Sequence, residues 1–346
     1  TAEEELVVDE ETTAEDEEEE LIVEEDVEKK DETQAIKTSE EKKEISLSGN
    51  IAQYKVKKGE ENTTVLVLGA NGMLGNAVLR LFATSPGYRV VGTVRSSAAL
   101  RHLPSELHPL IFTGVDVENN DNLAKIFSKE RLDVIINCVG LVKQLAAGCD
   151  PIAGITINAL LPHRLARLCE MAGTRLIQIG TDCVFSGVKG SYTEADVSDA
   201  TDLYGRSKYL GDVDYPHTIT LRTSIIGHEL NGAHSLIGWF LAQTGVVKGY
   251  RKAIFSGLPT VEMAHVIRDY VIPNPELQGV YHVSAAPINK FDLLTLVAKI
   301  YGKSIDITPD DQLVIDRSLN STRFQLATGY VAPNWPELVK MMHLYK

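Results

Sequence analysis

From Thr63 onward, apolar runs rich in valine and isoleucine alternate with stretches whose apolar residues recur every three or four positions. The first pattern predicts buried strands, and the second predicts amphipathic helices. Alternation with this short period predicts an α/β fold with a doubly wound parallel sheet and helices on both faces. The predicted strands are a run ending at Leu68 and segments 89–94, 109–115, 133–139, 175–179 and 218–223; predicted helices include 120–130, 152–171 and 204–212.

Beyond residue 227 the pattern changes. Helical patterns at 235–244, 261–270 and 290–301 are separated by short strand patterns such as 279–283. We therefore expect residues 227–346 to form mainly a smaller lobe that interleaves with the sheet in part. We expect this lobe to close over the carboxyl ends of the strands, where such sheets bind their ligands.

Three glycines, Gly69, Gly72 and Gly75, stand between the first predicted strand and the first predicted helix. Lacking a Cβ, they permit a tight turn, a close approach of the backbone to a diphosphate, and close packing of helix on strand. The free N–H groups of the helix N-terminus favour an anion. In this strand–turn–helix context the motif predicts a dinucleotide site, and a glycine-rich turn without a ligand is the alternative.

Charge is distributed unevenly along the 346 residues. Residues 1–44 carry 21 acidic side chains and five lysines, so this segment has a net charge of −16 and the rest of the chain +2. The segment has few apolar side chains with which to offset the entropy of ordering. We expect residues 1–62 to be an acidic, disordered segment and linker. A mimic of nucleic acid and a docking arm for another protein are the alternatives.

The cysteines and histidines show no metal-ligand spacing. Cys138, Cys149, Cys169 and Cys183 suit a reducing cytoplasm better than a disulfide framework. No apolar run reaches the roughly 18 residues of a membrane span, and no signal-peptide core is present. We therefore expect a cytoplasmic protein with no metal, membrane or nucleic-acid partner. The sequence does not decide whether it forms a homodimer.

Residues 204–208, Tyr-Gly-Arg-Ser-Lys, lie in a predicted helix. Tyr204 and Lys208 stand four apart and so project from one face. A phenol with a pKa of about 10 is a poor acid–base catalyst near neutral pH until a cation stabilises its phenolate. Lys208 supplies such a cation, so the pair is a candidate acid–base site. An ordinary exposed helix is the alternative.

Two predicted strands end in side chains suited to a ligand site. Thr181 follows segment 175–179, and a hydroxyl at the carboxyl end of a strand points into the ligand cleft of an α/β fold. Residues 137–140, Asn-Cys-Val-Gly, end another strand. Their small side chains would let a cofactor lie flat across the strand tip.

With these motifs in this order, residues 63–346 resemble the extended short-chain dehydrogenase/reductase superfamily. Within it, the chain is most similar to the dTDP-4-dehydrorhamnose reductase branch, through Thr-Asp-Cys-Val-Phe-Ser-Gly at 181–187. Asp150-Pro151 with Asn158, Leu-Arg-Thr-Ser at 221–224 and Gly-Leu-Pro-Thr at 257–260 add to the resemblance.

The resemblance implies a Rossmann domain over residues 63–226 that binds NAD(P), followed by the substrate-binding lobe. It implies an oxidoreductase that uses NADPH to reduce a nucleotide-activated 4-keto-6-deoxy sugar, with the hydride delivered to C4. Tyr204 would donate the proton, Lys208 would lower the Tyr204 pKa and hold the nicotinamide ribose, and Thr181 would hydrogen-bond the carbonyl oxygen. The implied cofactor-binding residues are Gly69, Asn71, Gly72, Met73, Leu74, Gly75, Arg95, Asp116, Val117, Cys138, Val139, Gly140, Tyr204 and Lys208.

Arg95 bears on the choice of cofactor. An NAD site usually places an acidic residue at the end of the second strand, to bond the ribose 2′-hydroxyl. Here that strand ends in Val94 and Arg95. A guanidinium pairs well with a 2′-phosphate, so the sequence favours NADPH over NADH. A solvated surface arginine is the alternative, and a helix-capping role is the alternative for Asp116.

The chain departs from the branch at two places where the sugar would bind. Cys183 stands where the branch has tyrosine, and residues 141–144, Leu-Val-Lys-Gln, differ from its usual sequence. A dehydratase is disfavoured, because its second carboxylate is missing after Asp182. A nucleotide-sugar 4-epimerase uses the same Thr, Tyr and Lys, and a non-catalytic, NADP-binding regulatory subunit can retain them. The sequence leaves both open.

Overall fold

The structure, a computed structural model, describes residues 62–142 and 150–345. Apart from its last residue, the predicted acidic segment of residues 1–62 lies outside these ranges. Residues 143–149, which include Cys149 and half of the divergent 141–144 segment, lie outside them as well. The expectations placed on those residues stay predictions.

One large parallel sheet dominates the described strands. It joins seven of them in the order β3-β2-β1-β4-β5-β6-β11. This order confirms the predicted doubly wound sheet, and it reverses between β1 and β4, where such folds open a ligand crevice. In chain order the strands are β1 (Thr63–Leu68), β2 (Tyr88–Val94), β3 (Ile111–Thr113), β4 (Val134–Asn137), β5 (Arg175–Thr181), β6 (Thr218–Thr223), β7 (Ile225–Ile226), β8 (Val246–Tyr250), β9 (Ala253–Phe255), β10 (Leu258–Pro259), β11 (Gly279–His282), β12 (Ile288–Asn289), β13 (Asp306–Asp310) and β14 (Ile315–Asp316).

Helices cover both faces of the sheet. Alternate residues of β1 enter different cores: Val65 and Val67 pack with α1, α7 and the C-terminal helices, whereas Leu66 and Leu68 pack with α2 and α4. Burial on both faces explains why β1 is an unbroken apolar run. The helices are α1 (Met73–Ala83), α2 (Asn120–Lys129), α3 (Pro151–Gly154), α4 (Leu161–Ala172), α5 (Leu203–Leu210), α6 (Leu236–Ala242), α7 (Thr260–Val266), α8 (Lys290–Tyr301), α9 (Thr322–Thr328) and α10 (Trp335–Leu344).

Several predicted elements differ from the structure in their extent, among them helix 261–270, which is α7 followed by a π-helical segment, Ile267–Val271. The predicted strand 109–115 shrinks to Ile111–Thr113, because Pro109 belongs to a preceding 3₁₀ turn, Ser105–Leu110. The predicted helix 152–171 is broken into α3, a π-helical segment (Ile155–Leu160) and α4. The break has a local cause: Pro162 has no N–H to donate to the Asn158 carbonyl four residues earlier.

Residues beyond 227 are interleaved with the sheet. Strand β11 pairs in parallel with β6 and forms the edge of the sheet, and α7 packs against α1. At the C-terminus, the Tyr345 hydroxyl donates to the carbonyl of Ala77 in α1 (2.9 Å), and the Arg80 guanidinium lies 4.4 Å from the Tyr345 ring centroid. Tyr345, the last residue that the structure describes, therefore holds helix α1 in place.

Acid is expected to destabilise the fold through His282, which lies in β11 and is fully buried. Burial lowers its pKa from 6.5 to about 4, against a raising effect of Glu194. The unfolded chain therefore binds a proton that the folded chain does not. The free energy of unfolding should fall by up to about 3 kcal/mol as the pH drops from 6.5 to about 4. Urea unfolding at several pH values tests this, and His282→Gln should flatten the dependence; an equal slope in that variant contradicts it.

Candidate active site

The loop between β1 and α1 is closed by its glycines. Gly69 has φ +78°, and its carbonyl accepts from Gly72 N (3.0 Å). A Cβ on Gly75 would lie 2.1 Å from the Gly69 oxygen, so only glycine lets α1 begin this close to the strand. From β2, the Thr93 carbonyl accepts from Ala70 N (2.9 Å) and fixes the loop from the side.

The first backbone N–H groups of α1 have no intrahelical partner and no side-chain cap. Its N-cap, Gly72, has no side chain to cap them, and the first turn carries no acidic residue. Asn71 and Gly72 are exposed, Met73 is half-buried, and Leu74 and Gly75 are buried. The loop can therefore offer backbone donors and the helix dipole to an anion, and these residues fit the diphosphate of a dinucleotide.

The other residues predicted to bind the cofactor follow β2, β3 and β4 at the same edge of the sheet. Arg95 is exposed and comes directly after β2. The Asp116 carboxylate accepts from Glu118 N (3.0 Å) and so caps a turn. Val117, between them, is half-buried. After β4, the Asn137 side chain accepts from Val139 N (3.1 Å). Cys138 and Val139 are half-buried and Gly140 is exposed at this end of the strand.

Helix α5 brings Tyr204 and Lys208 to the end of β5. Its N-cap, Asp202, accepts from Gly205 N (2.8 Å) and so begins the helix one residue before Tyr204. A Cβ on Gly205 would lie 2.3 Å from the Cys183 carbonyl oxygen. Glycine at this position lets α5 touch the turn after β5, and Tyr204 therefore reaches Thr181.

Tyr204 is a protonated phenol in this setting. Burial is the main cause that raises its pKa, and Cys183, Asp182 and Asp202 raise it further, whereas a hydrogen bond with Thr181 lowers it. The net direction is upward, opposite to the lowering by Lys208 that the resemblance implied. A phenol that keeps its proton at neutral pH suits a group that donates one.

Lys208 is almost fully buried, and its Nζ donates to the Ile179 carbonyl (2.8 Å) in β5. Burial lowers its pKa, while Asp212, Cys138 and Cys183 raise it. A Cβ on Gly140 would lie 3.8 Å from Lys208 Nζ. The ammonium thus lies between the ends of β4 and β5, next to the residues predicted to hold the cofactor.

Two side chains at this site were missed by sequence reasoning. Arg317, just after β14, donates through Nε to the Phe185 carbonyl (2.8 Å), and its Nη1 lies 3.8 Å from Cys183 Sγ. The Asn158 side chain bonds both the N–H and the carbonyl of Leu141 (2.9 and 3.0 Å). Asn158 was only part of a resembling motif, and no spacing in the sequence indicates Arg317.

An open groove of about 630 Å³ lies beside the edge strand β11, lined in part by Glu194, Tyr281 and Arg323. Its charged side chains already bond the backbone of β11: Glu194 accepts from His282 N (2.8 Å), and Arg323 donates to the Val280 carbonyl (3.0 Å). These bonds satisfy backbone groups of an edge strand, so the charged side chains in the groove have a structural role that needs no ligand.

Within residues 62–142 and 150–345, no group of three or more His, Cys, Asp and Glu side chains is placed to hold a metal ion. In the same ranges, every helix is too short or too polar to cross a bilayer.

The chain matches the model of one protein family, the RmlD substrate binding domain, over residues 63–312. A probable low-salt glycan biosynthesis reductase, Agl14, from Haloferax volcanii is 30% identical over 50% of the chain and 57% of that protein. The dTDP-4-dehydrorhamnose reductase of Aggregatibacter actinomycetemcomitans is 22% identical over 81% of the chain and 98% of that protein.

Among solved structures, the crystal structure of dTDP-4-dehydrorhamnose reductase from Bacillus anthracis in complex with NADP superposes with a TM-score of 0.66. The sequence identity is 18%, and the match covers 82% of this chain and all of the other. At this identity the likeness establishes the fold.

Proposed function

The chain belongs to the RmlD substrate binding domain family, and from this premise we propose that it is an NADPH-dependent reductase of a nucleotide-activated 4-keto-6-deoxy sugar. Membership confirms the resemblance to the dTDP-4-dehydrorhamnose reductase branch. The Aggregatibacter relative, aligned over nearly its whole length, is named for this reaction.

The observation that carries the proposal is the meeting of Thr181, Tyr204 and Lys208 at the ends of β4 and β5. In the proposal, Tyr204 donates its proton to the carbonyl oxygen at C4 of the sugar, and the Thr181 hydroxyl holds that oxygen. Lys208 compensates the negative charge left on Tyr204. Orientation and general acid catalysis together would supply the rate.

The cofactor-binding part of the proposal rests on the loop of Gly69, Gly72 and Gly75. Its left-handed turn and uncapped helix end would hold the diphosphate, and Arg95 would hold the 2′-phosphate. When bound, NADPH supplies the hydride that reduces C4. Residues 138–140 would lie along the nicotinamide side, beside Lys208 Nζ.

The proposal is tested by NADPH oxidation with 4-keto-6-deoxy sugars carrying dTDP, UDP or GDP. We expect oxidation with at least one of them and near-complete loss in Thr181→Val, because the carbonyl oxygen would lose a hydrogen bond. Ser186→Ala, a hydroxyl deletion at a half-buried site where the hydroxyl bonds Asp199, is the matched control. Interconversion at C4 without net oxidation would instead indicate an epimerase. Tight NADPH binding with no turnover of any sugar would contradict both.

A further inference from the structure

A carboxylate continues the line of catalytic side chains on α5. Tyr204, Lys208 and Asp212 follow one another at intervals of four residues. Helix α5 ends at Leu210, and Asp212 N still donates to the Tyr209 carbonyl (3.1 Å), so the chain keeps turning up to Asp212. Residues four apart on such a helix share a face, and Asp212 therefore follows Lys208 on the catalytic face.

Asp212 forms a buried ion pair with Arg222 of β6. Its Oδ2 accepts from Arg222 Nε at 2.7 Å, and the two side chains are only 6% and 5% exposed. Its second oxygen, Oδ1, is buried and has no hydrogen-bond partner among the described residues. A buried carboxylate oxygen without a donor is costly, and so it calls for an explanation beyond the ion pair.

Lys208 and Asp212 both lie against the same short piece of β5. Lys208 Nζ donates to the Ile179 carbonyl, and a Cβ on the next residue, Gly180, would lie 3.1 Å from Asp212 Oδ1. The same Cβ would lie 3.0 Å from Arg222 Cγ. The unpartnered oxygen therefore faces the strand segment that fixes the Lys208 ammonium.

We propose that Asp212, held in place by Arg222, is a positioning residue whose negative charge keeps the buried Lys208 protonated and directed at the reaction site. The inference rests on the proposed reductase function. It assigns the pair Asp212–Arg222 to the catalytic machinery through Lys208, without contact with substrate or cofactor.

The charges around Lys208 are consistent with this role. Burial is the main influence on the pKa of Lys208 and lowers it. Asp212 is the strongest opposing influence, followed by Cys138 after β4 and Cys183 after β5. Burial also raises the pKa of Asp212, against the effects of Arg222 and Lys208. Each charged group thus stabilises the charge of the other.

The direct test is the titration of Lys208 in the full chain, followed by NMR with lysine labelled with ¹³C at Cε. Lys208→Arg identifies its signal. In Asp212→Asn, which removes the counter-charge and keeps the shape, we expect Lys208 to titrate at least about one pH unit lower. Asp212→Glu should restore the original value. Asp214→Asn removes an exposed carboxylate two residues away and is the matched control.

Arg222→Gln tests the other half of the pair. It removes the charge that holds Asp212 in place and favours its ionised form, so Lys208 should titrate lower than in the unmodified protein, as in Asp212→Asn. A merely structural role for the pair would leave the Lys208 titration unchanged in both variants. If Asp212→Asn does not fold, Arg222→Gln decides: an unchanged or higher titration overturns the proposal.

Turnover gives a second readout. With an active sugar, the alkaline limb of the kcat profile should shift to lower pH in Asp212→Asn by the same amount as the titration. An unchanged Lys208 titration in folded Asp212→Asn, or an equal shift in Asp214→Asn, overturns the inference whatever the activity. Because the titration needs no substrate, failure of the proposed function would show separately, as absent turnover with the titration shifts intact.

Discussion

Replacing Tyr204 with phenylalanine is expected to lower kcat by a factor of about a hundred or more, the scale on which general acid catalysis contributes. The variant removes only the hydroxyl, and the ring still fills its place between the turn after β5 and helix α5. NADPH affinity should stay close to that of the unmodified protein, because the glycine loop and Arg95 are untouched.

Single-turnover kinetics with an active sugar and fluorescence titration of NADPH separate the two effects. Tyr209→Phe is the control, because Tyr209 lies on the same helix and is 48% exposed. It should leave kcat unchanged. Near-normal turnover in Tyr204→Phe would remove Tyr204 from the mechanism, and an equal loss in Tyr209→Phe would point to helix damage.

The second large effect is expected on the choice of cofactor. NADPH should bind more tightly than NADH by roughly one to a few kcal/mol, the worth of a charge-assisted hydrogen bond. Arg95 is exposed at the end of β2, where its guanidinium can meet a 2′-phosphate. Arg95→Ala should erase most of the preference, and Arg95→Asp should reverse it by repelling phosphate and accepting from the ribose.

Dissociation constants for both cofactors, measured at low and moderate salt, check this expectation. The difference should narrow with salt, since an exposed ion pair is screened. Arg101→Ala is the control, because Arg101 is also exposed and its described hydrogen bond is to His102 in its own turn. Equal affinities in the unmodified protein would contradict the role of Arg95 and favour the epimerase alternative.

The parallel sheet could be predicted because its strands are buried on both faces, which leaves continuous apolar runs in the sequence. The glycine loop and the pair Tyr204–Lys208 could be predicted because their residues stand only three or four positions apart in the sequence. The π-helical break was missed, although Pro162 inside the predicted helix is a signal for it, because a proline removes one N–H from the helical hydrogen bonds. Predicted strand 279–283 was found, but its place beside β6 depends on contacts far apart in sequence.

The same limit applies to the candidate site. Arg317 contacts Cys183, which is 134 residues away in sequence. Arg222, in β6, contacts Asp212, which follows helix α5. Asp212 continues the spacing of four that marks Tyr204 and Lys208. The spacing alone, however, does not show that its carboxylate is buried. Contacts of this kind become visible only when the strands are side by side.

The bond between Tyr345 and Ala77 has a consequence for biosynthesis. A ribosome releases helix α1 long before it makes the segments that cover it: α7 follows after most strands of the sheet, and Tyr345 lies 268 positions beyond Ala77. Until α7 is made, the α1 face of the core is uncovered, and β6 lacks its outer neighbour until β11 follows. The nascent chain must therefore carry an uncovered apolar surface while these segments are being made, a state in which chaperones bind and aggregation begins.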